Sequence, residues 1–300
     1  MRAVFVFLLL FSRAAFPAAC CGGNNLFPSL ISGDDRTQLT ATTSFGSVVA
    51  DAPVAGAAVA RAAGDAETRA TFRLDFATLL SDRWQTGLSL PLVRRFRSRN
   101  GTQVEAMGPG DVSWMLGFEA LPQWSYSPWQ PKGLLFASVT APTGRSPQDA
   151  QSLYQIDSMG RGYWSFSIGG LLQKTWGAWD ALLLAEAHQP LARTFSSDVG
   201  DFILTPSPGA SFAAGVGYSW NQLRLGGTFS ALYEGAVRTQ GLVDEVGNPA
   251  LAFPLTLQAA YLVADGWSLG ALYTDNSVLG ATNLPLSRSL SVLVQARWDR

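Results

Sequence analysis

Segment after segment of this chain alternates apolar and polar residues, and a period of two dictates an extended, sheet-forming chain with one greasy face. In GDVSWMLGFEALP, residues 110–122, Val112, Trp114, Leu116, Phe118 and Ala120 share one face. Asp111, Ser113, Met115, Gly117 and Glu119 share the other. Twelve such segments can be placed, at about 37–49, 68–79, 83–94, 110–121, 132–142, 162–173, 178–189, 208–219, 222–234, 251–262, 267–275 and 288–298. Their length suits a tilted strand that crosses a bilayer and exceeds the five or six residues usual in soluble sheets. In 222–234, Leu223, Leu225, Gly227, Phe229, Ala231 and Tyr233 oppose Arg224, Gly226, Thr228, Ser230 and Glu234. Segments 37–49 and 132–142 alternate less cleanly, and their registers stay open.

The connections alternate too. Short turns fall near Ser81-Asp82, Gly177-Ala178, Trp220-Asn221 and Asp265-Gly266, and longer polar loops at 50–67, 95–109, 143–161, 190–207, 235–250 and 276–287. The connection 122–131 is long for its class. Short turns on one side and long loops on the other are the pattern of outer-membrane barrels. Tryptophan gives an independent check, because amphipathic rings settle at the headgroup level. Trp84, Trp176, Trp179, Trp220, Trp267 and Trp298 form a girdle at the short-turn ends, with Trp124 and Trp129 beside them. The expected fold is therefore all-β: a transmembrane antiparallel up-and-down barrel of about twelve strands in the bacterial outer membrane.

Composition agrees. Hydrophobic residues make up 47% and charged residues 14%, yet beyond the N-terminus no apolar run is long enough for a helical span. A net charge of −1 gives no basic surface for nucleic acid. Arg2 and the apolar run Val4 to Phe11 predict a signal peptide over 1–19. Residues 20–35 then form a periplasmic N-terminal segment, and 36–300 the barrel. Pro17-Ala18-Ala19-Cys20 is similar to a lipobox, which makes Cys20 a lipidation candidate; ordinary cleavage near Ala19 is the alternative. Both cysteines lie here, so the barrel has no disulfide framework.

Gly110-Asp111-Val112 opens one segment, and Ala141-Pro142-Thr143-Gly144 closes the next. This GD…PTG arrangement resembles outer-membrane transport proteins associated with the phenol meta-degradation pathway, over roughly residues 35–300. The resemblance implies a barrel of about twelve strands and passage of small hydrophobic or aromatic compounds. In one respect the chain departs from outer-membrane barrels. They usually end on an aromatic residue read by the outer-membrane assembly machinery, whereas here Asp299 and Arg300 follow Trp298.

Strand charges are expected to turn inward, because a charge facing lipid costs roughly 2–4 kcal/mol at mid-bilayer. The lumen-lining candidates are Arg69, Arg73, Asp75, Glu119, Glu186, His188, Arg224, Glu234, Gln258, Gln295 and Arg297. They form either a salt-bridged plug of mixed sign or a constriction that selects solutes. His188 is the sole histidine, in Glu186-Ala187-His188-Gln189-Pro190. Outer-membrane phospholipases carry Ser two residues after His, where this chain has Pro190, so His188 reads as a polar lumen residue. Asp34-Asp35 and Asp244-Glu245 read as solvated loop acids. No catalytic set, cofactor motif or metal-ligand cluster stands out, and the partners expected are the bilayer, the assembly machinery and a small hydrophobic solute. The reading is a passive conduit; the alternatives are a structural or surface-interaction protein and, more remotely, a membrane-embedded hydrolase.

Overall fold

A computed structural model describes residues 29–31, 33, 35–62, 64–197, 200–241 and 244–298. The expected signal peptide over 1–19, Cys20, Asp34 and the terminal pair Asp299-Arg300 lie outside the described residues.

Twelve wall strands form a closed antiparallel barrel. They are β1 (Thr37–Ala52), β2 (Ala66–Leu79), β3 (Trp84–Arg99), β4 (Val112–Leu121), β5 (Lys132–Ala141), β6 (Ser165–Trp176), β7 (Trp179–Pro190), β8 (Gly209–Trp220), β9 (Leu223–Glu234), β10 (Leu255–Ala264), β11 (Trp267–Asp275) and β12 (Leu284–Trp298). Each pairs with its neighbour in sequence, and β12 returns to β1 in a ladder from Thr37↔Trp298 to Ala52↔Leu284. Among the described residues no helix is long and apolar enough to cross a membrane; the strands do the crossing.

Alternation sorts the two faces. Outward positions carry Phe72, Leu225, Leu257, Leu290, Val292 and Val294, all exposed. Inward neighbours such as Thr40, Thr42, Asp75, Thr228, Ser230 and Ser291 are buried. In β1 the outward set is Leu39, Ala41, Thr43 and Phe45, and in β5 Leu134 and Phe136 face in while Leu135 faces out, which settles both open registers. The six girdle tryptophans occupy the first or last positions of β3, β6, β7, β8, β11 and β12, all exposed at the short-turn ends. Trp84 packs on Phe118 at 4.8 Å and Trp179 on Tyr218 at 4.9 Å between ring centroids.

Three parts depart from the sequence reading. Residues 95–109 are not a loop. β3 runs to Arg99 and pairs with a strand at Thr102–Pro109 around the turn Asn100-Gly101, where φ is 50° and 79°. Both turn residues adopt positive φ, the backbone form that closes a two-residue hairpin. The loops 190–207 and 235–250 also extend as strands. Arg193–Ser197, Gly200–Pro206, Val237–Gln240 and Glu245–Val246 make a separate four-stranded sheet above the barrel.

The third departure is the N-terminal segment, expected in the periplasm. Ile31 lies inside the barrel, 2% exposed. Its N–H donates to Gln85 Oε1 at 2.7 Å, and Gln85 Nε2 donates back to its carbonyl at 3.2 Å. Leu30 packs on an inward-facing apolar cluster of Met115, Leu134, Phe136, Leu171, Leu182, Leu184 and Ala213. The reason is space. About eight strands give a barrel that its own side chains fill, and twelve leave room that further chain can enter.

The long 122–131 connection has a separate task. Lys174 sits at an outward position of β6, yet it is buried. Its ammonium donates to the carbonyls of Ser127 and Gln130 and lies 5.1 Å from the centre of the Tyr126 ring. A cation at the membrane face is thereby shielded by a fold of chain.

Val292→Arg, in the middle of the outward face of β12, is expected to cost about 2–4 kcal/mol of folding stability, read as a lower urea midpoint in lipid vesicles.

Candidate functional site

The inward-facing residues divide by depth. Toward the short turns the barrel is packed. Arg224 makes a bidentate pair with Asp180, at 2.7 Å through Nε and 2.5 Å through Nη2, with both side chains 3% exposed or less. Two charges so buried remain only because each satisfies the other. Gln295 donates to Thr40 at 3.3 Å, and Arg297 lies 3.4 Å from Asp35 of the N-terminal segment. Glu119 stands 3.7 Å from Lys132. Gln258 reaches toward Gly226, which has no side chain to obstruct it. These residues all face inward, but they belong to the packed half.

Toward the long loops the barrel holds two cavities. The larger, about 750 Å³, is lined by Arg69, Glu67, Arg95 and a hydroxyl-rich wall that includes Ser44, Ser289 and Ser291. Arg61, Arg95 and Arg97 converge on Glu67, at 2.8, 3.0 and 3.6 Å. The smaller, about 550 Å³, is lined by Ser89, Ser113, Ser138, Thr140, Ser165 and Ser167 and by Met115, Phe136 and Ser29. Cross-strand hydroxyl pairs knit these walls, Ser113 with Thr140 at 2.9 Å and Ser138 with Ser167 at 2.7 Å. Arg73, Asp111 and Arg161 line both cavities and so mark the boundary between them. Of the eleven lumen candidates, Arg69, Arg73, Glu186, His188 and Glu234 line a cavity. Asp75 stands behind them, holding Arg73 at 2.7 Å.

The boundary is built by the loop 143–161, which folds into the long-loop mouth. Asp111, just ahead of β4, clasps it at both ends. One carboxylate oxygen accepts the Gly144 N–H at 3.0 Å and the other the Arg161 N–H at 2.6 Å. The Thr143 hydroxyl donates to the Gly110 carbonyl at 2.7 Å and accepts the Val112 N–H at 3.0 Å. Gly144 and Gly160 touch backbone to backbone, so a Cβ at either would collide with the other. Gly110-Asp111 and Thr143-Gly144 are thus the two halves of one clasp, which explains the GD…PTG spacing in structural terms.

Within the loop, Arg145 pairs with Asp157 at 2.5 Å, and Ile156 and Met159 are buried. Burial alone would raise the Asp157 carboxyl. The N–H groups of Gln151 and Ser152 and the Arg145 guanidinium outweigh it and hold the group at about 2. Arg95 holds the loop from the wall, donating to the Ser158 carbonyl at 2.9 Å and hydroxyl at 2.8 Å.

From the clasp, Arg161 reaches Glu234 at 2.6 Å, and Glu234 in turn bonds His188 at 3.0 Å. β4 and β9 stand five strands apart in a ring of twelve, so this polar chain crosses the lumen. Ser167 is the cross-strand partner of His188, but its hydroxyl bonds Ser138 while the imidazole bonds Glu234. Sequence reasoning placed Asp111 on the inward face without its clasp, and it left Arg161 and Glu67 among loop residues.

No family model matches the chain, and no curated protein matches it. Among solved structures it is similar to an outer membrane channel from Pseudomonas putida F1, with a TM-score of 0.74 at 14% identity, over 92% of this chain and 99% of that one. The translocator domain of the autotransporter NalP from Neisseria meningitidis aligns at a TM-score of 0.42 and 12% identity, over 89% of each chain. A mutant of the TodX monoaromatic hydrocarbon channel aligns at 0.43 and 10%, over 89% of this chain and 91% of that one. The first likeness establishes a shared fold, a closed antiparallel β-barrel of the outer-membrane type.

Asp111→Ala is expected to free the loop. Each charge-assisted bond lost is worth roughly 1.5–3 kcal/mol, so trypsin should cut at Arg145 or Arg161 at least about tenfold faster than in the parent protein.

Proposed function

We propose that this chain is a passive conduit for small molecules across the outer membrane, inserted by the barrel assembly machinery, with its long loops outside the cell. The observation that carries this reading is the pair of adjoining cavities, about 750 and 550 Å³, that share Arg73, Asp111 and Arg161. Paired charges of both signs at that boundary favour selection by size over strong selection by charge. The aromatic compounds implied by the family resemblance fit a chamber lined by hydroxyls and apolar side chains. On the way to the short-turn mouth a solute meets Ser29, Leu30 and Ile31, and these are the part that must yield. A second reading, a surface-interaction protein, draws on the small sheet formed by the loops between β7 and β8 and between β9 and β10.

Liposomes carrying the purified barrel should swell in a small sugar such as arabinose faster than empty liposomes; equal rates would reject the conduit.

The loop latch also predicts a response to acid. Asp157 is held below its ordinary value of 3.8, so its contribution is complete above about pH 4 and is lost as pH falls through about 2. Single-channel current at fixed salt should rise across that window, and Asp157→Asn should already show the higher current at neutral pH.

A further inference from the structure

Glu186 lines the smaller cavity, and the basic side chains there are engaged elsewhere: Arg73 with Asp75, and Arg161 and His188 with Glu234. Its cross-strand partners are Gly169 on β6 and Ser211 on β8. The Phe136 ring lies over Gly169 so closely that any side chain there would strike it. The missing side chain therefore lets the ring of Phe136 come up beside the half-buried Glu186 carboxylate, with Ser167 and Ser211 on the same cavity wall. Met115 continues the apolar surface from Phe136.

A carboxylate, an aromatic ring and hydroxyl oxygens on one wall are the groups that recognise an ammonium. The charge attracts it, the oxygens accept its N–H bonds, and the ring gives its apolar part a surface. An anion would meet Glu186, Glu234 and Asp111 without a free counter-charge. We propose that the smaller cavity is a binding site for a small organic ammonium, its charged end at Glu186 and its apolar body on Phe136 and Met115. A cavity of about 550 Å³ lies within the range of small-molecule sites. This inference rests on the conduit reading for the ligand's route of entry, and it names the class of solute retained.

The experiment is calorimetric titration of the detergent-solubilised full barrel with phenethylammonium chloride and, separately, with neutral 2-phenylethanol. The ammonium should bind saturably and at least about tenfold more tightly than the alcohol. Glu186→Gln should lose about tenfold in ammonium affinity while keeping the heat-modifiable gel migration of a folded barrel. Ser291→Ala, on the wall of the larger cavity, should bind like the parent protein. Equal binding of the two probes, or unchanged affinity in Glu186→Gln, would overturn the proposal. Arabinose entry measured on the same preparation separates the two readings. Entry without ammonium binding overturns the site alone, and binding without entry overturns the conduit alone.

Discussion

A backbone amide in hydrocarbon has no water to bond to, and leaving it unpaired costs several kcal/mol. Everything in this barrel follows from meeting that demand without an edge. The ladder between β1 and β12, fifteen residues deep from Thr37↔Trp298 to Ala52↔Leu284 with one bulge, turns a sheet into a ring. Once closed, the ring fixes which side of each strand sees lipid, and so where Leu225, Phe229 and Val292 must point. It also creates an interior that has to be dealt with. Twelve strands enclose more space than side chains can occupy, and the chain enters from both ends, Leu30 and Ile31 from the short-turn end and residues 143–161 from the other.

These two inserts are held by different physics. The N-terminal segment rests on apolar contact, each buried Leu or Ile being worth roughly 1.5–3 kcal/mol, plus a reciprocal amide pair with Gln85. The loop is held by charge: Asp111 on its two ends, Arg95 on Ser158, and the Arg145–Asp157 pair within. Acid and salt weaken the second set and leave the first largely untouched. One barrel thereby carries two obstructions that respond to different conditions.

Much of the wall was legible in the sequence because the rule behind it is local. Period-two alternation decides a face at every residue, and the girdle tryptophans mark the depth at which each strand ends. Strand ends blurred where alternation ran past the membrane belt. Arg95 and Arg97 look like loop residues because they are charged, yet both continue the inward face of β3. Ile31 gave no periodic signal, since two apolar residues in a row fit any conformation. Its position depends on Gln85, 54 residues away.

The site itself exposes the limit of a one-dimensional reading. Arg224 and Glu186 look alike in sequence: each is a charge on the inward face of its strand. Only the ring places Arg224 against Asp180 two strands away, where both are dry, and Glu186 beside glycine, serine and a ring from β5. Alternation reports direction, whereas burial depends on depth and on neighbours contributed by distant strands. The clasp shows the same principle from the other side. Gly110-Asp111 and Thr143-Gly144 are separated by the whole of β4 and β5, and their spacing was visible as a motif. Its meaning, a carboxylate accepting two amides so that a loop can enter the lumen, follows from the hairpin that brings the two halves together.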